Sequence, residues 1–294
     1  MKGIILAAGA GTRLFPASQP ISKILLPIYD KPMIYYPLST LMLMDIKDIL
    51  IITNESDYDN FEKLLGNGSK FGINISYAIQ YVQRGIADAF LIAEKWINGE
   101  DVALILGDNI FHGHGFSTTL SNVLEHNSGA TVFGYQVRDP ERFGVVEFDE
   151  DKKVLSLEEK PQNPKSNYAV TGLYLYDGNV SKYAKMLEPS SRGELEITDL
   201  NRIYLNRDEL NVEILGRGFA WLDTGTHDSM LQASNFVQSM EMNQGVKIAC
   251  LEEIAVSHGF ISKEEVLKNC EKYKNSEYYN YVRTALNQPS LSKV

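Results

Sequence analysis

The sequence predicts an α/β protein built on a doubly wound, mostly parallel sheet, and three observations predict it. Short apolar runs alternate with helical patterns through about the first 140 residues. The first run, Ile4-Ile5-Leu6-Ala7, carries no polar alternation, as suits a strand buried on both faces. That run leads directly into a glycine-rich turn ending on a cation, Gly9-Ala10-Gly11-Thr12-Arg13.

Taken in order, residues 3–8, 48–53, 74–79, 102–106 and 130–137 read as strands, with helices near 34–45, 57–65, 86–96 and 116–125 between them. From about 144 the pattern becomes β-rich, with the runs GVVEF, KVLSLEE and YAVTGLYLYD; it is mixed after Pro189 and mostly helical from 227 onward. There is no repeat, low-complexity tract or obvious linker, so a second lobe beginning near 140 is not expected to be an independent domain.

Composition narrows the class. A chain of 294 residues with 44% hydrophobic and 22% charged residues can bury a substantial core and is not expected to be disordered. A net charge of −10 argues against a general nucleic-acid or anionic-membrane surface, so a polyanionic ligand would need a local cluster of cations. Two cysteines, Cys250 and Cys270, suggest reduced thiols and a cytoplasmic protein. Neither a cationic leader nor an apolar run near twenty residues is evident, and no membrane span is expected.

In doubly wound sheets ligands lie at the carboxyl ends of strands. The first strand ends at Gly9 and Gly11, which read either as an ordinary tight turn followed by a surface arginine or as a concave anion site of exposed backbone N–H groups to which Arg13 adds a forked cation. Two familiar phosphate loops are excluded. A dinucleotide fingerprint wants a third glycine where Leu14 stands, with Pro16 beyond it, and the Gly-Lys-Ser/Thr of a Walker-type loop is absent. Lys23 follows ten residues later, in a segment held by Pro27 and Pro32, either beside the same phosphates or as a solvated charge. Asp108, just past the fourth strand, occupies the place of a Mg²⁺ ligand or of a helix cap, and Asp223 is a second candidate of the same kind. Glu158-Glu159-Lys160-Pro161 is an ordinary charged strand end, or one whose proline aims Lys160 into a cleft. His112 and His114 have no further ligand nearby in sequence and read as loop or contact residues; Thr198 or Asp199 reads as a helix cap.

Seven blocks, LAAGAGTRL, SKILLPIYDKPMIYYPLS, LGDNIFHG, FGVVEF, EEKP, RGELEITD and WLDTGTHDSMLQA, occur in the order and spacing of the sugar-1-phosphate nucleotidyltransferases, which the chain resembles over almost its whole length. The resemblance implies a Rossmann-like fold with an inserted β-rich sugar-binding part and C-terminal helices. It implies a nucleotidyltransferase domain over 1–240, with a nucleotide half about 1–140 and a sugar half about 141–240, and a helical extension over 241–294 serving regulation or subunit contacts. The reaction implied is that of dTTP with glucose 1-phosphate, giving dTDP-glucose and pyrophosphate at the head of dTDP-rhamnose and deoxysugar synthesis. Mg²⁺ is the implied cofactor, a homotetramer the implied assembly, and a dTDP-sugar the implied allosteric ligand.

Placed on this sequence, the resemblance implies that Leu6, Gly9, Gly11, Thr12, Arg13 and Lys23 hold the nucleotide and that Asp108 and Asp223 bind the metal. It implies that Gln80 and Gly85 read the base, that Gly144, Glu159, Lys160, Val170 and Tyr174 form the sugar-phosphate pocket, and that the block Glu194-Leu195-Glu196-Ile197-Thr198-Asp199 helps frame that pocket. Arg13, Lys23 and Lys160 would be the catalytic cations. Three departures stand out: Ile24 replaces a usual glutamine, Ser18, Pro20 and Tyr81-Val82-Gln83-Arg84 replace other residues near the nucleotide, and Val256-Ser257 replaces a usual Tyr-Arg. The first two predict use of UTP alongside dTTP. The third predicts weakened feedback, since serine cannot replace a bidentate guanidinium contact.

Overall fold

Side chains alternate across a strand, and the first strand fixes two separate cores. In the computed structural model, which describes residues 1–288, β1 (Lys2–Leu6) leads through a short hairpin, β2 (Pro27–Ile28) and β3 (Lys31–Pro32), into the alternation α1 (Tyr35–Leu43), β4 (Asp48–Thr53), α2 (Tyr58–Leu65), β5 (Asn74–Ile79), α3 (Asp88–Ile92), α4 (Glu94–Ile97) and β6 (Val102–Leu106). Ile5 joins Ile49, Ile51 and Ile105 in one apolar cluster, while Ile4 joins Leu50, Ile52 and Leu104 in another. Helices α1 and α2 cover the first face through Leu38, Leu41, Phe61 and Leu65; α3 and α4 cover the second through Ala89, Phe90 and Ile97. Both faces are therefore closed, which is why these strands carry no polar alternation.

β1 pairs in parallel with β4 and with β6, and β4 in parallel with β5. The order β5-β4-β1-β6 means that the chain, having built outward from β1, returns past it to lay down β6 on the other side. The switch point between β1 and β6 is where such a sheet leaves a crevice at its carboxyl ends.

The second half continues with β7 (Asn109–His112), α5 (Phe116–His126), β8 (Ala130–Gln136), β9 (Gly144–Phe148), β10 (Val154–Glu159), β11 (Tyr168–Tyr176), α6 (Val180–Ala184), α7 (Ile197–Leu205), β12 (Leu210–Leu215) and β13 (Ala220–Asp223). β11 lies antiparallel on β6 and joins both halves in one nine-stranded sheet; β9 and β10 extend it, while β8 pairs with β11 and, in parallel, with β12. The residues after 140 share this sheet with the first half.

Three local features depart from the sequence expectation. The helix expected over 86–96 is divided at Ala93 into α3 and α4. Asn109, just past the fourth strand where no further strand is expected, begins β7, which pairs antiparallel with β13 in a ribbon apart from the main sheet. Each strand of that ribbon has only four residues, too few for an alternation to register. Thr198 and Asp199 are not caps: the residue preceding α7 is Glu196, and no side chain bonds there.

The C-terminal region forms α8 (His227–Gln244), α9 (Leu251–Ser257), α10 (Lys263–Cys270) and α11 (Glu277–Asn287); residues 289–294 of the expected extension lie outside the described residues. Thr226 starts α8 reciprocally: its Oγ1 accepts from the Ser229 N–H, and Ser229 Oγ accepts from the Thr226 N–H. Ala233, Val237, Leu251 and Ala255 complete the first core. Cys250 and Cys270 are both free and buried. Among the described residues, no helix is long and apolar enough to cross a membrane.

A buried ionic knot ties this region to the first half. Lys31, 3% exposed in the β2–β3 hairpin, donates to Glu241 Oε1 at 2.9 Å and to Asp30 Oδ1 at 2.5 Å. Glu241 also accepts from Lys247 at 3.1 Å and from the Ile248 N–H at 3.0 Å. Breaking a buried pair costs more than the pair contributes, because the remaining charge stays desolvated. Glu241→Ala is expected to destabilise the fold by about 3 kcal/mol and lower the thermal unfolding midpoint, read by circular dichroism, by roughly 5–10 °C.

Candidate active site

A cleft of about 480 Å³ opens at the switch point. One side carries Leu6, Gly9 and Arg13 from the end of β1, Gln80 and Gly85 after β5, and Asp108 after β6; its far side carries Gly144, Glu159, Lys160, Val170 and Tyr174, with Asp223 between. Gly11, Thr12 and Lys23 are not on the lining. They act on the cleft through the residues that they hold.

The two loop glycines serve different ends. A Cβ built on Gly9 meets nothing within 4 Å, so the space above it is open cleft. Gly11 has φ +62°, a left-handed conformation, and a Cβ there would lie 3.3 Å from Ser18 Oγ, whose hydroxyl donates to the Gly11 carbonyl at 2.7 Å. Gly11 therefore shapes the loop. Thr12 opens the short 3₁₀ turn that directs Arg13 into the cleft.

The ribbon of β7 and β13 places Asp223 opposite Asn109, one residue from Asp108. The Thr224 N–H and hydroxyl both donate to the Asp108 carbonyl, at 3.1 and 2.8 Å. The carboxylates part in behaviour. Burial works to raise the pKa of Asp108, but the Lys23 ammonium paired with it prevails and holds it below the usual carboxyl range. Asp223 is pushed up, first by burial and then by the Asp108 charge, despite Lys23, Arg13 and Arg142. A Cβ on Gly225 would lie 3.3 Å from Arg13 Nη2 and 3.4 Å from Asp223 Oδ1, which brings guanidinium and carboxylate to one spot.

Asn109, 2% exposed, was not singled out by sequence beyond its place in LGDN, yet it joins the two halves of the site. Its Nδ2 donates to Asp108 Oδ1 at 3.0 Å. Its Oδ1 accepts from Trp221 Nε1 at 2.6 Å and from the Gly172 N–H at 3.0 Å. A Cβ on Gly172 would sit 2.5 Å from that same oxygen, so glycine is required there by close approach.

On the far side Glu159 Oε2 accepts from Thr198 Oγ1 at 2.6 Å, and its Oε1 faces Arg192 at 3.4 Å and Lys160 at 3.5 Å. Lys160 takes a left-handed φ of 44°, supported by its N–H donating to the Phe143 carbonyl at 2.9 Å. A non-glycine residue in that region carries strain of about 1–3 kcal/mol, here tied to turning a lysine into the cleft. Val170 and Tyr174 are buried wall residues, and burial, then the Glu159 charge, raises the Tyr174 phenol pKa. Arg142, Arg192 and Thr198 also line the cleft. Arg192 and Thr198 stand in the RGELEITD block, whereas Arg142, just before FGVVEF, carried no motif signal.

At the base end, a Cβ on Gly85 (φ +92°) would lie 2.5 Å from the Leu195 carbonyl oxygen, while the Leu195 N–H donates to the Arg84 carbonyl at 2.6 Å. Gln80 Nε2 donates to Asp88 Oδ2 at 2.9 Å, and Gln83 Nε2 to the Ala8 carbonyl at 3.0 Å. Ile24 is elsewhere: 2% exposed, it packs where a Cβ on Gly107 would lie 3.2 Å from its Cδ1 and Cγ2. The expected influence of this position on base contacts therefore has no direct route into the cleft. His112 packs edge-on to Phe236, and Ser257, on α9, donates to the Ile254 carbonyl at 2.9 Å.

A switch-point crevice with an anion loop, facing carboxylates and a second set of cations defines a nucleotidyl-transfer site. The chain belongs to the nucleotidyl transferase family, whose model matches residues 2–240. The glucose-1-phosphate thymidylyltransferase of Neisseria meningitidis is 56% identical over 96% of this chain and 98% of its own, and that of Mycolicibacterium smegmatis 53% identical over 98% of this chain and all of its own. A crystallised Bacillus anthracis protein, described as a candidate glucose-1-phosphate thymidylyltransferase in complex with sucrose, is 43% identical and superposes with a TM-score of 0.74 over 80% of this chain and 94% of its own. A UDP-glucose pyrophosphorylase complexed with UDP-glucose, 25% identical, superposes with a TM-score of 0.72 over 81% of this chain and 98% of its own.

Gly172→Ala tests the Asn109 bridge. The added methyl must displace Asn109 and with it Asp108, so turnover in steady-state assays is expected to fall roughly 10- to 100-fold, the scale of a misplacement near 1 Å, while the circular dichroism spectrum is retained.

Proposed function

We propose that this cleft transfers the thymidylyl group of dTTP to glucose 1-phosphate, forming dTDP-glucose and releasing pyrophosphate. The observation that carries the reading is the meeting, in one cleft of an acidic protein, of the Gly9–Arg13 loop, the Asp108–Asp223 pair and, on the far wall, Glu159 and Lys160. The relatives' activity supports the substrates, and we place the reaction in the cytoplasm, where nucleoside triphosphates are available.

An oxygen of the sugar phosphate, already ionised at neutral pH, attacks the α-phosphorus of dTTP in line. The new phosphorus–oxygen bond forms as the bond to the β-phosphate bridging oxygen breaks, and pyrophosphate leaves with that electron pair. No covalent enzyme intermediate or strong base is needed; positioning and charge stabilisation carry the reaction. Arg13 and Lys23 would offset the triphosphate, and Lys160 the incoming phosphate. Glu159, oriented by Thr198, would accept hydrogen bonds from hydroxyls of the sugar.

Asp108 and Asp223 fit a divalent cation: both offer hard carboxylate oxygens on one partly buried site, and the Asp108 charge, after burial, helps push the Asp223 pKa up. Mg²⁺ held there supplies further positive charge to the triphosphate, about four in all with Arg13 and Lys23 against its roughly four negative charges.

A matrix of four nucleotides against glucose, galactose and N-acetylglucosamine 1-phosphates, read by pyrophosphate release, tests the substrates; highest kcat/KM for dTTP with glucose 1-phosphate is expected. Activity should vanish with a chelator and return with Mg²⁺. Asp108→Asn should keep the fold yet lower kcat at least about a hundredfold, near 3 kcal/mol.

A further inference from the structure

Only one end of the Gln80 amide faces the cleft. Gln80 is 6% exposed, and its Nε2 donates to Asp88 Oδ2. Asp88 heads α3 with 1% exposure, and its other oxygen accepts from Arg84 Nη2 at 2.8 Å. A carboxylate engaged on both oxygens only accepts, so the end of the amide beside it must be the NH₂ and the amide cannot turn over without losing that bond. Gln80 Oε1 takes no hydrogen bond from any described residue, nor is it among the buried atoms left without a partner, so it opens into the cleft that Gln80 lines. The turn carrying Asp88 is itself fixed, since Leu195 donates to the Arg84 carbonyl and accepts from the Ala87 N–H at 3.2 Å.

We propose that Asp88 is a positioning residue for base selection: it holds Gln80 with the carbonyl oxygen toward the base, so that the site takes a pyrimidine carrying an N–H at position 3 and refuses one that presents a lone pair there. The inference rests on the reading that Gln80 meets the base. Thymine and uracil offer that N–H; cytosine sets an acceptor against an acceptor, leaving two buried groups unpaired. The same oxygen does not separate thymine from uracil, which differ by one methyl. Tolerance of uracil nucleotides therefore follows from Gln80 and Asp88, not from Ile24.

The test compares kcat/KM for dTTP, dUTP and dCTP, with glucose 1-phosphate as acceptor, in the unmodified enzyme, Asp88→Ala, Asp88→Asn and Gln80→Ala. The unmodified enzyme is expected to prefer dTTP over dCTP by about 100-fold or more. Asp88→Ala should shrink that ratio at least tenfold, mainly through KM, while Asp88→Asn, which keeps an acceptor oxygen, should restore most of it. If Gln80→Ala loses the preference and Asp88→Ala keeps it, the role of Asp88 is overturned and the base reading stands. If neither variant changes the ratio, Gln80 does not read the base. Independently of how Asp88→Ala folds, the unmodified enzyme should use N3-methylthymidine triphosphate about 100-fold less well than dTTP; equal use would overturn the inference.

Discussion

Two carboxylates, Asp108 and Asp223, are held near each other on the wall of a cleft, half-buried, and most of the surrounding structure can be understood as what makes that juxtaposition tolerable. The ribbon of β7 and β13 brings them together, and Thr224 pins the backbone between them. Lys23 takes one carboxylate, Asn109 steadies it, and Arg13 and Arg142 lie toward the other. Like charges in a low-dielectric setting repel strongly unless cations offset them.

Asn109 shows how the two substrates' halves are made one. Its amide donates to the Asp108 carboxylate with one end, and accepts from the Trp221 indole and the Gly172 N–H on the opposite wall of the cleft with the other. The requirement for glycine at 172 follows from that contact. Precise relative placement of two anions is what a displacement at phosphorus needs, and a rigid polar bridge supplies it without a mobile element. The ionic knot of Lys31, Glu241 and Lys247 does similar work at larger scale, fixing the C-terminal helices against the hairpin below the phosphate loop.

The parallel half was readily legible because its strands are buried on both faces and their boundaries are marked by glycine and proline; the strands near 48–53, 74–79 and 102–106 agree with β4, β5 and β6. The glycine loop, Asp108 and Lys160 were visible as motifs. The individual roles of Asn109, Thr198, Arg142 and Arg192 were not, because an asparagine after an aspartate, a threonine early in a helix and an arginine among acids have common local explanations. Ile24 was misleading for the opposite reason: its identity drew attention to the cleft, while its side chain packs beneath the β6 turn.

The sequence by itself determined the fold class, the order of the elements and the residue types for phosphate chemistry, since periodicity, turn residues and motif spacing are local properties. Tertiary structure decided which of those residues meet. Pairing of β13 with β7 brings Asp223 to Asp108, the left-handed backbone at Lys160 turns its side chain inward, and Asp88 settles which end of Gln80 faces a ligand. Such outcomes depend on contacts between segments far apart along the chain, and on hydrogen bonds that only the assembled cleft can complete.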